Sequence, residues 1–201
     1  MIFASPVDAP GSAGLFHFEV GLAATAVEVD EQASFWIKSV SDDILVDGRL
    51  LVPRLIVSKG LGFASVAASY GRVGETDGHV LGGSVDLPLI RGGLARPTVA
   101  IRGVFSELVD VEEADLRSYG ALVMIGKGFG PITPYAGWGR MWAEGEARID
   151  PPGLDPILLS SDLEREVLLV GAKLDLALIK LVLEGLEGEQ WRYAARVAIG
   201  F

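Results

Sequence analysis

Two absences narrow the class of this 201-residue chain. It contains no cysteine, so no disulfide can form, which suits an oxidising periplasm and the cytosol equally. It also has no continuous apolar run of the roughly 20 residues that a transmembrane helix needs. Basic residues are few: 17 Lys and Arg stand against 27 Asp and Glu, for a formal net charge of −10. These features argue against a helical membrane protein and against nucleic acid as the main partner.

The composition is nonetheless apolar. Half of the residues are hydrophobic and the mean hydropathy is positive, which is unusual for a soluble domain of this size. A transmembrane β-barrel accommodates such an excess because its apolar residues occupy alternate positions and never form a long run. The 26 glycines also fit a curved sheet, where they mark bends and close approaches. A soluble lipocalin-like barrel is the rival fold.

Period-two alternation recurs along the chain, and helical periodicity is scarce. In residues 14–29, for example, Phe18 and Val20 alternate with Glu19 and Gly21. We predict an all-β chain that forms an antiparallel up-and-down transmembrane β-barrel of ten strands, with eight as the alternative count. The predicted strands are 14–29, 49–59, 61–72, 79–90, 96–109, 116–128, 131–144, 164–176, 179–187 and 190–201.

The predicted connections differ in length at the two ends of the barrel. Those after the second, fourth, sixth and eighth strands are tight, whereas four of the others, 30–48, 73–78, 110–115 and 145–163, are longer and polar. Short turns at one end, longer loops at the other and an even strand count are typical of an outer-membrane barrel, whose termini lie at the periplasmic end.

The start of the chain shows no export signal. "MIFASPVDAPGSAG" has neither a basic segment nor an apolar segment of the secretory type, so an exported protein would be numbered here from near its mature end. We predict that residues 1–13 form an N-terminal periplasmic segment and that 14–201 form the barrel.

Several stretches resemble a known family. The closing strand "WRYAARVAIGF" ends on Phe201 after alternating apolar residues, as in the C-terminal targeting signal of bacterial outer-membrane barrels. "PRLIVSKGLGF", "PTVAIRGVFSEL" and "SYGALVMIGKGFGPITPYAGWGR" are similar to an uncharacterised family of small Gram-negative outer-membrane barrels. The resemblance implies the fold, a bacterial outer-membrane location, contact with outer-membrane lipid, and engagement of the barrel-assembly machinery through the last strand.

The face opposite the apolar one carries charges of both signs. Charges inside a narrow barrel must pair, because an isolated buried charge is very costly. The same charges fit either a salt-bridge network that fills the lumen or a polar path for small solutes. The predicted lumen-lining residues are His17, Glu19, Arg54, Asp86, Arg102, Lys173, Asp175, Lys180, Glu184, Arg192 and Arg196.

Aromatic residues fall near the predicted strand ends, as in the interfacial belts of membrane barrels. We predict membrane-interface positions for Tyr70, Tyr119, Trp142, Trp191 and Phe201, and Tyr135 also fits this pattern. The orientation of the seventh strand stays open. Trp138 and Arg140 share one face, while Tyr135, Gly137 and Gly139 share the other, and either assignment breaks the alternation.

The functional prediction is a narrow porin-like channel for small solutes or ions. A closed structural or interaction barrel is the alternative, and its contact with an envelope partner would involve Phe35 and Trp36 in the apolar loop "ASFWIKSV". An outer-membrane hydrolase ranks last, because His79 near Asp77 or Glu75 is the only rim arrangement that suggests one. We therefore predict no catalytic residues, no metal ligands and no cofactor.

Overall fold

The computed structural model describes residues 8–11, 17–28, 45–46, 49–72, 78–93, 95–111, 114–149, 157–188 and 191–200. All regular elements in these ranges are β-strands, and no helix among the described residues could span a membrane. The strands are β1 (Phe18–Glu28), β2 (Leu45–Val46), β3 (Arg49–Gly60), β4 (Ser65–Arg72), β5 (His79–Ile90), β6 (Thr98–Val109), β7 (Ala114–Gly126), β8 (Ile132–Ile149), β9 (Ile157–Leu176), β10 (Ile179–Glu187) and β11 (Arg192–Gly200).

Ten of these strands form one closed antiparallel barrel. From β3 to β11 each strand pairs with its neighbours in the chain, and β1 closes the sheet by pairing with both β11 and β3. The closing register joins Glu19 to Gly200 on one side and to Ser58 on the other. The two-residue strand β2 pairs only with the start of β3 and adds nothing to the wall. The predicted up-and-down barrel of ten strands is confirmed, and the alternative count of eight is wrong.

The two ends of the barrel differ in their connections. We call the end that holds 61–64, 91–97, 127–131 and 177–178 the turn end, and β1 begins and β11 finishes there. The opposite end, with 29–48, 73–78, 110–113, 150–156 and 188–191, is the loop end. The predicted sorting by length holds only in part, since the connection 91–97 at the turn end is longer than 110–113 at the loop end.

The largest departure from the predicted boundaries is the hairpin of β8 and β9. These strands have 18 and 20 residues and stay paired up to Ile149 and Ile157, so most of the predicted loop 145–163 is strand. Near the loop end most described positions of the hairpin are exposed, the outer face is polar, and the inner face mixes Gly145 and Ser161 with Ala143 and Leu163, so no regular apolar alternation marks these strands.

A smaller difference lies at the start of β4. The third predicted strand was 61–72, but residues 61–64 form the turn that follows β3. The Leu61 amide donates to the Ala64 carbonyl at 2.8 Å, which closes the turn, and the wall resumes at Ser65.

The strands alternate between a buried inner face and an exposed outer face. In β7, for example, Gly120, Leu122 and Met124 are buried, whereas Tyr119 and Val123 are exposed. The exposed face is apolar over most of the wall, and its residues include Leu55, Leu81, Val85, Leu87, Ile101, Phe105, Ile125, Trp138, Leu168, Val170, Leu183 and Val197. The side-chain period of a strand thus separates an apolar exterior from an interior that holds the charges.

Candidate functional site

The predicted lumen-lining residues lie on the inner face of the barrel. Nine of them are buried: Glu19, Arg54, Asp86, Arg102, Lys173, Lys180, Glu184, Arg192 and Arg196. His17, just before β1, and Asp175, near the finish of β9, are only partly buried because they lie close to the turn end. Seven of these nine buried charges, all except Arg54 and Arg192, form two clusters in the turn-end half of the lumen.

The first cluster surrounds Glu19 on β1, whose side chain is 1% exposed. Its Oε1 accepts hydrogen bonds from Lys180 Nζ at 2.6 Å and Lys173 Nζ at 3.2 Å. Its Oε2 accepts one from Arg196 Nη2 at 2.8 Å. His17 Nε2 lies 2.8 Å from Oε1. A single carboxylate therefore joins three cations from β9, β10 and β11 to the first strand.

The second cluster surrounds Arg102 on β6. Its guanidinium donates to both carboxylate oxygens of Asp86 on β5, each at 2.6 Å, in the bidentate geometry that favours arginine–carboxylate pairs. Arg102 Nη1 also lies 3.9 Å from Glu184 Oε1 on β10. Tyr135 on β8 donates its hydroxyl to the same Glu184 oxygen at 2.6 Å.

Tyr135 is a member of this cluster that the sequence placed on the wrong face. It is 5% exposed and points inward, so its assignment to an interfacial belt was wrong. The register pairs it with Gly171, where an added Cβ would lie 2.5 Å from the tyrosine ring. The small residue opposite makes room for the ring, and this also settles the seventh predicted strand: Trp138 and Arg140 face outward.

Residues 8–11 join the two clusters. They belong to the segment predicted to lie outside the barrel, yet Ala9 is 3% exposed within the core. The Asp8 carboxylate accepts a hydrogen bond from Lys173 Nζ at 2.9 Å, and Arg196 Nη1 lies 3.5 Å from its other oxygen. The Asp8 carbonyl accepts from Arg102 Nη2 at 2.7 Å. No local pattern in the sequence signals these contacts, because the partners lie on strands far along the chain.

Asp8, His17 and Glu19 bring possible metal-ligand atoms within 4.8 Å of one another. The chemistry of the surroundings opposes a divalent cation there. Lys173 bonds both carboxylates, and Arg196 lies beside both, so the negative charge is already neutralised. We therefore interpret the group as part of the salt-bridge network.

Outside the two clusters the described lumen holds an apolar cluster, a small cavity and further buried polar side chains such as Thr25, Ser106 and Ser118. The apolar cluster is formed mainly by β6 to β10 and includes Leu122, Met124, Met141, Val167, Leu169 and Val182. A cavity of about 40 Å³ lies beside Arg54, Arg102 and Arg196. Its wall on β4 and β5 consists of small residues, Ser65, Ala67, Ser69, Gly82 and Ser84. This volume holds only a few water molecules.

Most exposed aromatic residues fall into two groups on the outer surface, and Trp138 lies between them. Towards the loop end, Tyr119 stacks on Trp142 with ring centroids 5.6 Å apart, and Trp191 stacks on Tyr193. Tyr70 is exposed near the same end. Towards the turn end lie Phe18, Phe63 and Phe129. Phe35, Trp36 and Phe201, which the sequence assigns to partner contact and to the interface, lie outside the described residues.

Charged side chains lie on the outer surface on both sides of the Tyr119–Trp142 pair, with Arg140 and Glu166 towards the turn end and Arg117, Glu107 and Glu144 towards the loop end. Arg140 donates to Glu164 at 2.8 Å and to Glu166 at 3.4 Å across the β8–β9 hairpin. Arg117 on β7 donates to Glu107 on β6 at 2.9 Å. Tyr119 donates its hydroxyl to Glu144 at 3.1 Å, so its ring lies against the apolar surface and its polar atom meets the charged zone.

Comparisons with known proteins add a likeness of shape. Three solved bacterial structures resemble the chain. They are the N-terminal β-barrel domain of Pseudomonas aeruginosa OprF (TM-score 0.40, 12% identity, 91% of this chain and 97% of that one), Neisserial surface protein A (0.37, 11%, 92% and 97%), and Yersinia pestis Ail in complex with a heparin analogue (0.36, 10%, 92% and 95%). No protein-family model and no curated protein matches the sequence. The strand pairing of this chain by itself defines the closed barrel.

The rim histidine belongs to a structural contact. His79 Nδ1 lies 3.3 Å from Asp110 Oδ2, and its ring stacks on Tyr70 with centroids 5.3 Å apart. The two acidic neighbours considered in the sequence, Glu75 and Asp77, lie outside the described residues. The side chains of Tyr70, His79 and Asp110 thus contact one another where β4, β5 and β6 reach the loop end.

The hydroxyl of Tyr135 gives a first testable prediction. Tyr135→Phe removes one donor to the buried Glu184 and leaves the ring in its place beside Gly171. We expect a loss of about 1–3 kcal/mol in the free energy of unfolding, the usual cost of a lost hydrogen bond to a buried charged group. Urea titration of the detergent-folded barrel measures it. The exposed Tyr193→Phe is the matched control, and equal effects at both positions would contradict the assignment.

Proposed function

We propose that this protein is a bacterial outer-membrane β-barrel whose lumen is closed at rest. The location is supported by the apolar exterior and by its two flanking groups of aromatic residues. Since every backbone polar group must be paired in lipid, only helices and closed barrels cross a bilayer, and this sheet closes through β1. A soluble barrel has no reason to expose Leu22, Leu183 and Trp138, each more than half accessible.

The closed lumen rests on one observation, the approach of Arg102 to Glu184. These side chains come from β6 and β10, which are separated by three strands in one direction around the barrel and five in the other. Their charged atoms lie 3.9 Å apart, so the contact crosses the lumen. Both side chains are buried and are also held by Asp86 and Tyr135. An ion path through this level would have to break the contact.

A closed barrel can hold an exposed segment at the membrane. Among the described residues, the β8–β9 hairpin is such a segment and offers a surface for contact with a partner. Most of the β8–β9 hairpin near the loop end is exposed on both faces, and Arg140, Glu164 and Glu166 stiffen its base. We propose that the protein presents this hairpin outside the membrane to an envelope partner. The narrow porin-like channel is the second candidate, and the small-residue wall beside the cavity favours it.

Single-channel recording tests the proposal. We expect correctly folded protein in a planar bilayer to give no reproducible conductance steps over a range of salt concentrations. Heat-modifiable migration on a gel verifies folding in the same sample. Arg102→Ala, refolded and checked in the same way, removes the contact that crosses the lumen and should bring conductance only if that contact is the barrier. Steady steps from the unmodified protein would overturn closure and establish the channel.

A further inference from the structure

The contacts of Asp8 have the form of a ligand-binding site that the chain fills itself. Its carboxylate lies between Lys173 and Arg196, whose side chains are 4% and 1% exposed. Its carbonyl oxygen is held by Arg102, whose side chain is 2% exposed. Three deeply buried cations from β6, β9 and β11 thus converge on two acceptor groups of one residue that is not part of the wall.

The segment that carries Asp8 reaches this site from the turn end. Gly11 has φ of +106° and lies against Thr98, the first residue of β6, and Pro10 contacts Gly126, the last residue of β7. Asp8 contacts Arg102, which lies four residues further along β6 from the rim, about 13 Å along the strand. Residues 8–11 therefore pass from the rim to the cations, which Asp8 contacts, and these four residues form no strand pairing with the barrel wall.

The charge balance indicates what the site selects. In the described lumen six cationic side chains, Arg54, Arg102, Lys173, Lys180, Arg192 and Arg196, face five carboxylates, Asp8, Glu19, Asp86, Asp175 and Glu184. Withdrawal of Asp8 would leave six cations with four carboxylates. Glu19 and Asp86 are on wall strands and cannot take its place. An anion from outside the chain would then bring the number of negative groups back to five.

We propose that the turn end of the lumen holds a binding site for small carboxylates that carry a second oxygen acceptor, and that Asp8 occupies it as an intramolecular stand-in. Lys173 and Arg196 bind the carboxylate, and Arg102 binds the second acceptor. Ligand and Asp8 compete, so binding displaces residues 8–11 from the lumen. The inference concerns occupancy of the site and holds whether or not the barrel conducts.

Rescue of a vacated site by a small anion tests this proposal. Asp8→Ala in the full-length chain removes the carboxylate and should lower the unfolding temperature, because Lys173 and Arg196 lose a partner. Sodium acetate should restore most of this loss in a saturable manner, whereas sodium chloride at equal ionic strength should not. Sodium succinate, which also offers an acceptor to Arg102, should act at about tenfold lower concentration.

Two variants make the test specific. Asp8→Asn removes the charge but keeps the site filled, so acetate should have much less effect on it than on Asp8→Ala. Adding Lys173→Met to Asp8→Ala should abolish the rescue. If Asp8→Ala does not refold in chloride, the yield of heat-modifiable barrel in acetate is the readout. Equal effects of acetate and chloride, or equal responses of Asp8→Ala and Asp8→Asn, would overturn the proposal.

Discussion

Replacing Glu19 by alanine is expected to lower the free energy of unfolding by about 3–5 kcal/mol, the range for removing one partner of a buried ionic network. The substitution removes the carboxylate that Lys173, Lys180 and Arg196 share, while Asp8 stays beside Lys173 and Arg196. These cations are held inside a closed wall, so water cannot fully solvate them. The measurement is a reversible urea titration of the detergent-folded protein, with strand content followed by circular dichroism.

A carboxylate in an exposed ion pair provides the control for Glu19. Glu164 accepts a hydrogen bond from Arg140 at 2.8 Å, as short as the Glu19–Arg196 bond. Both side chains of the Arg140–Glu164 pair, however, are 53% exposed on the outer surface. Glu164→Ala should change stability very little, because exposed pairs contribute little. A comparable loss in the free energy of unfolding at both positions would contradict the claim that burial makes the inner network important for stability.

A cation placed on the apolar exterior should be nearly as damaging. Val123→Arg puts a charge on the outer face of β7, four residues from Tyr119 towards the turn end and hence near the middle of the apolar surface. In a bilayer we expect a loss of about 2–4 kcal/mol, the cost of arginine at the midplane of a membrane barrel. Folding into lipid vesicles, followed by urea titration, measures it.

The same substitution separates a membrane barrel from a soluble one. Val123 is 51% exposed, and an arginine at such a position in water changes stability by no more than about 0.5 kcal/mol. Asp162→Arg is the matched control, because Asp162 faces outward on β9 beyond the aromatic group, where it pairs in register with Glu144. If Val123→Arg is tolerated as well as Asp162→Arg, the apolar exterior does not contact lipid.

The wall of the barrel could be predicted because its two faces meet different surroundings. Where one face is apolar and the other polar, as in β11 with Arg192 and Arg196 inside and Val197 outside, a period of two reveals both the strand and its orientation. Where this contrast between the two faces disappears, the alternation no longer marks a strand. Around Glu146 and Asp162 the outer face of the β8–β9 hairpin is polar and the inner face mixes Gly145 and Ser161 with Leu163, so neither face signals a strand and the sequence was interpreted as a loop.

The inner contacts could be predicted only as a set of residues. Alternation placed Glu19, Arg102 and Glu184 on the inner face, but it carries no information about which charges meet across the lumen. Those pairings depend on the register of the closed sheet and on residues that come together from distant strands. Asp8 shows the limit most clearly, since its position inside the barrel is a consequence of tertiary contacts alone.

The position of Glu19 on the first strand has a consequence for how the chain folds. Its partners Lys173, Lys180 and Arg196 follow 154, 161 and 177 residues later, so none of these bonds can form before nearly the whole chain is in place. Contacts over such separations give the barrel a high contact order, and closing the long loops between them is slow. Until β1 meets β11 the charges stay hydrated. The charges then lose their hydration as β1 pairs with β11, in one late, cooperative event. A chain that lacks its final strand remains an open sheet whose charges are hydrated.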